Sequence, residues 1–99
     1  MPAAVEKDNV LVSLIDWLRE RLGPSAFLVS NHYADEPGIA ALAHPLDSTR
    51  LVYFAWFEDG WHVELLTPEQ PGNWCSVRTT IHAGLDDEQL AVIVAEHLR

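Results

Sequence analysis

Two helix-periodic segments, one near each end of the chain, and a series of short strand-like runs between them predict an α+β fold. The expected order is helix, five-stranded antiparallel meander, helix, with both helices on one face of the sheet. The glycines and prolines support this division, because they fall between the apolar-patterned segments. With 99 residues, of which 48% are hydrophobic, the chain is sized for one compact domain over residues 1–99 with its own core, residues 1–8 forming a frayed end.

The first helix is expected from roughly Val10 to Leu22. Leu11, Leu14, Ile15, Leu18 and Leu22 recur at three- and four-residue steps and make one apolar stripe. Asp8 or Asn9 can cap its start. Gly23 followed by Pro24 stops it, since glycine accepts the conformation that ends a helix and proline cannot continue one. The second helix begins with a capping box, Asp86 with Gln89 three residues on, and with a hydrophobic staple between Leu85 and Leu90. Asp87 and Glu88 in its first turn suit the helix dipole, and Leu90, Ile93, Val94 and Leu98 make its buried stripe.

Five strands are expected between the helices, at about Ala26–Asn31, Ile39–Ala43, Leu51–Glu58, Trp61–Thr67 and Cys75–His82. Asp59-Gly60, set between two aromatic-rich runs, reads as a two-residue hairpin turn. That turn would place Glu58 opposite Trp61, Phe57 opposite His62, Trp56 opposite Val63 and Phe54 opposite Leu65. Alternation then assigns Val52, Phe54, Trp56, Val63 and Leu65 to the face beneath the helices, continued by Cys75, Val77, Thr79 and Ile81. The other face carries Leu51, Tyr53, Phe57, His62, Glu64 and Leu66, continued by Arg78, Thr80 and His82. It mixes apolar and polar groups and contains no lysine, unlike an ordinary solvent face.

The formal charge is −9, from fifteen acids against six bases. Such a surface repels phosphates and anionic lipid, so direct nucleic-acid binding and membrane binding are not expected. No uncharged apolar stretch approaches the ~18 residues that span a bilayer. The single cysteine, Cys75, cannot form an internal disulfide. These features together point to a reducing, cytoplasmic setting. In a meander, alternate turns lie at the same end of the domain. Asp35 and Glu36, Glu58 and Asp59, Asp86 to Glu88, and Glu6 and Asp8 should therefore collect at one pole, with Arg19, Arg21, Arg50 and Arg99 opposite. Turn and helix-dipole preferences alone can produce that asymmetry.

Chemistry-bearing patterns are sparse. His62, His82 and Glu64 could together hold a transition metal, but no recognised metal-ligand spacing is present and His32 lies on a distant strand. Cys75 falls on the helix-covered face, where a thiol behaves as a small hydrophobe. The serines sit in no nucleophile elbow and no glycine-rich phosphate loop occurs. Trp56 reads as core, Trp17 as the edge of the first helix's stripe, and Trp61 and Trp74 as aromatic groups flanking loops.

The leading expectation is a non-catalytic module without a cofactor that binds a basic protein, as an inhibitor or an immunity-type protein would. Tyr53, Phe57, Trp61, His62, Glu64 and Arg78 would supply the contact surface, and Glu58, Asp59, Asp35 and Glu36 its acidic border. The helix–sheet–helix plan is shared with secretion chaperones, toxin-immunity proteins and small inhibitors, an analogy of architecture only. The alternatives are a small enzyme or metal protein built on His62, His82 and Glu64, and a homodimer formed through the mixed face.

Overall fold

The computed structural model describes residues 8–30, 35–70 and 77–99. The elements in chain order are α1 (Asn9–Leu22), β1 (Leu28–Val29), β2 (Ala40–His44), β3 (Asp47–Phe57), β4 (Gly60–Pro68), β5 (Val77–Leu85) and α2 (Asp87–His97). The strands form one antiparallel sheet in the order β1-β2-β3-β4-β5, a meander in which every strand pairs with its neighbours in sequence. The places expected for Glu6, His32, Trp74 and Cys75, and the fraying expected of residues 1–7, lie outside the described residues. No helix among the described residues is long and apolar enough to cross a membrane.

Both helices pack on one face of the sheet. Leu11, Leu14, Ile15 and Leu18 of α1, Leu90, Ala91 and Val94 of α2, and Leu98 just beyond it meet Ala40, Leu42, Val52, Phe54, Trp61 and Val63 in a single core. Burying aliphatic side chains of this size contributes roughly 1.5–3 kcal/mol each, which is why the two stripes rather than helix propensity hold these helices in place. α1 stops at Gly23, whose φ is +101° and whose N–H donates to the Arg19 carbonyl at 2.9 Å. At the start of α2 the capping box is complete: the Gln89 N–H donates to Asp86 Oδ1 at 2.8 Å, and the Asp86 N–H donates to Gln89 Oε1 at 2.9 Å.

The hairpin register differs from expectation by two residues. Phe57 pairs with Gly60, Trp56 with Trp61, Ala55 with His62, Phe54 with Val63 and Tyr53 with Glu64, so Glu58-Asp59 is the two-residue connection. Gly60 has φ +121°, and a β-carbon there would come within 2.7 Å of the Leu85 carbonyl oxygen. Its glycine thus serves a close approach of backbones between β4 and the end of β5. A shift of two leaves the faces of β3 and β4 as expected.

The faces of β5 are reversed. Trp61 pairs with Leu85, but Val63 pairs with His82, so β5 carries one extra residue between these pairs. Gly84, at φ +68°, lies within that bulge. The expected faces of this strand are exchanged because one inserted residue turns every side chain on its far side to the other face of the sheet. Arg78, Thr80 and His82 lie on the helix side, beside Thr67, Leu65 and Val63, while Val77, Thr79 and Ile81 lie on the face away from the helices.

The two tryptophans of the hairpin also exchange roles. Trp61 is 1% exposed and Trp56 is 49% exposed. Trp61 sits between β3 and β5 with its Nε1–H donating to Asp87 Oδ1 of α2 at 2.7 Å. Trp56 lies beyond the last β2–β3 pair, Ala40–Phe54, and among the described residues no strand lies on its outer side.

Candidate functional site: the sheet face away from the helices

The rows of cross-strand partners define this face. Ala43, Leu51, Leu66 and Thr79 make one row, and Ala41, Tyr53, Glu64 and Ile81 the next. Ala55 with His62, then Phe57, continue it toward the Glu58-Asp59 loop. The face is not uniform. Leu51 is 0% exposed, against the expectation that it would lie open, and Ala41 and Ala43 are buried with it outside the helix-side core. Toward the loop the face opens: Phe57 is 50% and Ile81 70% exposed, and Tyr53, His62 and Glu64 are partly buried.

Between these groups runs a shallow groove of about 180 Å³, bordered by Ile39, Tyr53, Ala55, His62, Glu64 and Ile81. The His62 ring is held by its neighbours. Its Nε2 lies 2.8 Å from Asp59 Oδ1, and its ring centroid is 4.3 Å from that of Phe57 at 44°. The hydrogen bond from His62 lowers the Asp59 carboxyl below its ordinary pKa, so Asp59 remains a carboxylate at the groove's loop end.

The structure brings together Tyr53, Phe57, His62 and Glu64, with Glu58 and Asp59 beside them. Asp35 and Glu36 lie exposed in the connection from β1 to β2, whose Pro37 carbonyl accepts from the Asp8 N–H at 2.9 Å. That bond ties the start of α1 to the same end. Gly60, packed on Leu85, ties the Glu58-Asp59 loop to the segment leading into Asp86, Asp87 and Glu88. The acidic end is thus a consequence of the meander. One expected base departs from the far end: Arg21 forms an ion pair with Glu88 and stacks 5.4 Å from the centroid of the Trp17 ring.

Three expected members do not belong. Trp61 is core, and Arg78 and His82 lie on the helix side. His62 and His82 are therefore separated by the sheet, so the set of His62, His82 and Glu64 is not assembled. Among the described residues no group of three or more His, Cys, Asp or Glu side chains is placed to hold a metal ion. Ile81 is the member that alternation missed, and Gly84, a glycine inside a strand-like run, is the signal that a bulge would move it.

The groove can bury apolar side chains of a partner between Phe57 and Ile81 while presenting carboxylates and an imidazole at its border. Comparisons of the chain with protein-family models, with curated proteins and with solved structures return no match.

Proposed function

We propose that this chain is a non-catalytic protein-binding module that docks a basic partner on the sheet face away from its helices. The observation that carries the reading is the pair Phe57 and Ile81, each half or more exposed, flanking the Tyr53–His62–Glu64 groove at the acidic end of a chain with net charge −9. Exposed aromatic and aliphatic anchors within a polar border are the usual anatomy of an interface. The acidic surroundings speed encounter with a cationic partner and discourage acidic ones. An inhibitor or immunity-type protein that occupies a basic site would use such a surface.

The test is capture from the native cell with the wild-type chain and with the Tyr53→Ser/Phe57→Ser double variant. The expected partner is basic, is retained by the wild type, and is lost from the variant and above about 0.5 M salt, where screening acts within a few ångströms. A partner that is acidic, salt-insensitive or equally retained by a cooperatively folded variant refutes the reading. Unfolding of the double variant would refute it too, since both side chains would then be core.

A second reading is favoured by β5. Its nine residues, Val77–Leu85, form an edge of the sheet with no further strand beside it among the described residues, and Arg78 carries its only formal charge. Edges without lysine or proline are open to pairing with another strand. In this reading the module is a homodimer joined at β5, and light scattering would report twice the chain mass.

A further inference from the structure

On the opposite side of the sheet, where the hairpin end meets the helices, a cleft of about 380 Å³ lies between Val10, Leu14, Trp17, Trp56, Trp61 and Asp87. That volume falls in the lower part of the ~300–1,000 Å³ range of small-ligand sites. We propose that this cleft binds a methylated ammonium group, either on a free quaternary amine or on a methylated lysine side chain. Being on the helix side, it is distinct from the Phe57–Ile81 groove, and either site can fail without the other.

Three indole rings border the cleft: Trp61, 1% exposed, closes it from the core side, while the partly buried Trp17 and the half-exposed Trp56 are the rings a ligand can reach, their faces carrying the negative end of the ring quadrupole. Trp56 and Trp61 meet edge-on, with centroids 4.9 Å apart and planes at 64°, so the buried Trp61 ring backs the half-exposed Trp56 ring and fixes its position. One carboxylate, Asp87, stands with them. It is anchored by the Trp61 N–H at 2.7 Å, so little ordering is left to the moment of binding. Trp17 is approached by the Arg21 guanidinium, 5.4 Å from its centroid, a contact within α1. Arg21 does not border the cleft, and its charge is balanced by the ion pair with Glu88. Asp86, one residue before Asp87, adds further negative charge at the start of α2.

The chemistry selects among cations. A bare ammonium is strongly hydrated and asks for three acceptors, which rings do not supply. A guanidinium has five N–H donors to satisfy, and Asp87 is the one carboxylate among the described residues bordering the cleft. A methylated ammonium sheds water easily, has few or no donors to satisfy, and gains from aromatic faces and a nearby charge.

The experiment uses the full chain labelled with nitrogen-15, following the tryptophan indole N–H signals. Tetramethylammonium chloride and choline are titrated against sodium chloride at equal ionic strength and against 3,3-dimethylbutan-1-ol, the neutral counterpart of choline. A trimethyllysine peptide is compared with its unmodified form. The expected result is saturable movement of the Trp61 indole signal with the methylated cations, and weaker or no movement with the controls. Trp56→Leu, which replaces a half-exposed ring, should weaken binding by about two- to thirtyfold, the range for one aromatic contact to a cation. Asp87→Asn, which keeps an acceptor for Trp61, should weaken it as well. Tighter binding of the peptide assigns a protein-borne ligand, and tighter binding of choline a free one; both sustain the site. Equal response to the neutral alcohol or to sodium chloride overturns it, as does undiminished binding by both variants.

Discussion

Gly60→Ala probes the contact that sets the hairpin register. The added β-carbon would lie 2.7 Å from the Leu85 carbonyl oxygen and 3.1 Å from the Leu85 nitrogen and the Gly84 carbonyl carbon. All three are backbone atoms of the segment that enters α2, so no flexible side chain can yield. The native φ of +121° is itself unfavourable for any side chain. Holding a non-glycine residue in such a conformation costs about 1–3 kcal/mol, and forcing packed backbone apart adds about 1–3 kcal/mol. The expected loss is about 2–6 kcal/mol, a large share of the ~5–15 kcal/mol that stabilises a typical domain. Urea unfolding followed by tryptophan fluorescence measures it, and Tm should fall by about 10 °C or more. Gly84→Ala is the internal comparison: at φ +68° its β-carbon meets nothing closer than the Asp59 carbonyl oxygen at 3.5 Å. Only the left-handed conformation is then penalised, at about 1–2 kcal/mol. A loss at Gly60 below about 1 kcal/mol, or no greater than at Gly84, would refute the close-approach explanation.

Two other outcomes follow from positions that the structure reassigns or defines. Trp61→Ala should cost about 3–5 kcal/mol in the same assay because the ring is fully buried, while Trp56→Ala should cost about 1–2 kcal/mol; the reverse order would contradict the burial described above. His97, whose Nε2 lies 2.9 Å from the Leu66 carbonyl, has its pKa lowered, chiefly by burial and secondarily by the nearby Arg50 charge. The unfolded chain therefore binds a proton more readily than the folded one as pH falls below about 6.5. Stability should decline as pH drops through that window and be unaffected by this group above it. His97→Gln should flatten the pH dependence of the urea midpoint between about pH 5 and 7 relative to wild type, and an unchanged slope would rule out the contribution.

What could be read from the sequence was what local chemistry decides. The start of α2 was legible because Asp86, Gln89, Leu85 and Leu90 cooperate within one turn. The common face of Tyr53, Phe57, His62 and Glu64 was legible because alternation survives a register shift of two. The register itself was not, since Gly60 answers to Leu85, twenty-five positions away, rather than to its own turn. Arg78 and His82 were placed on the wrong side because a single-residue bulge at Gly84 reverses everything beyond it. The burial of Trp61 and the exposure of Trp56 depend on the stagger of β2 against β3, which neither residue's neighbours in sequence record.

The unbroken β1-to-β5 order has a kinetic consequence. Each strand pairs with its neighbour in sequence, and the β2–β3 and β3–β4 connections have two residues each, so the centre of the sheet can form as successive hairpins with little loop entropy to overcome. The core is another matter, because α1 precedes the sheet and α2 follows it, and both must lie on the same apolar surface. During synthesis from the N-terminus the surface formed by Val52, Phe54, Trp61 and Val63 exists before α2 does. Among the described residues α1 alone covers that surface until Leu90, Ala91 and Val94 arrive, and apolar surface left open in this way favours aggregation or capture by a chaperone.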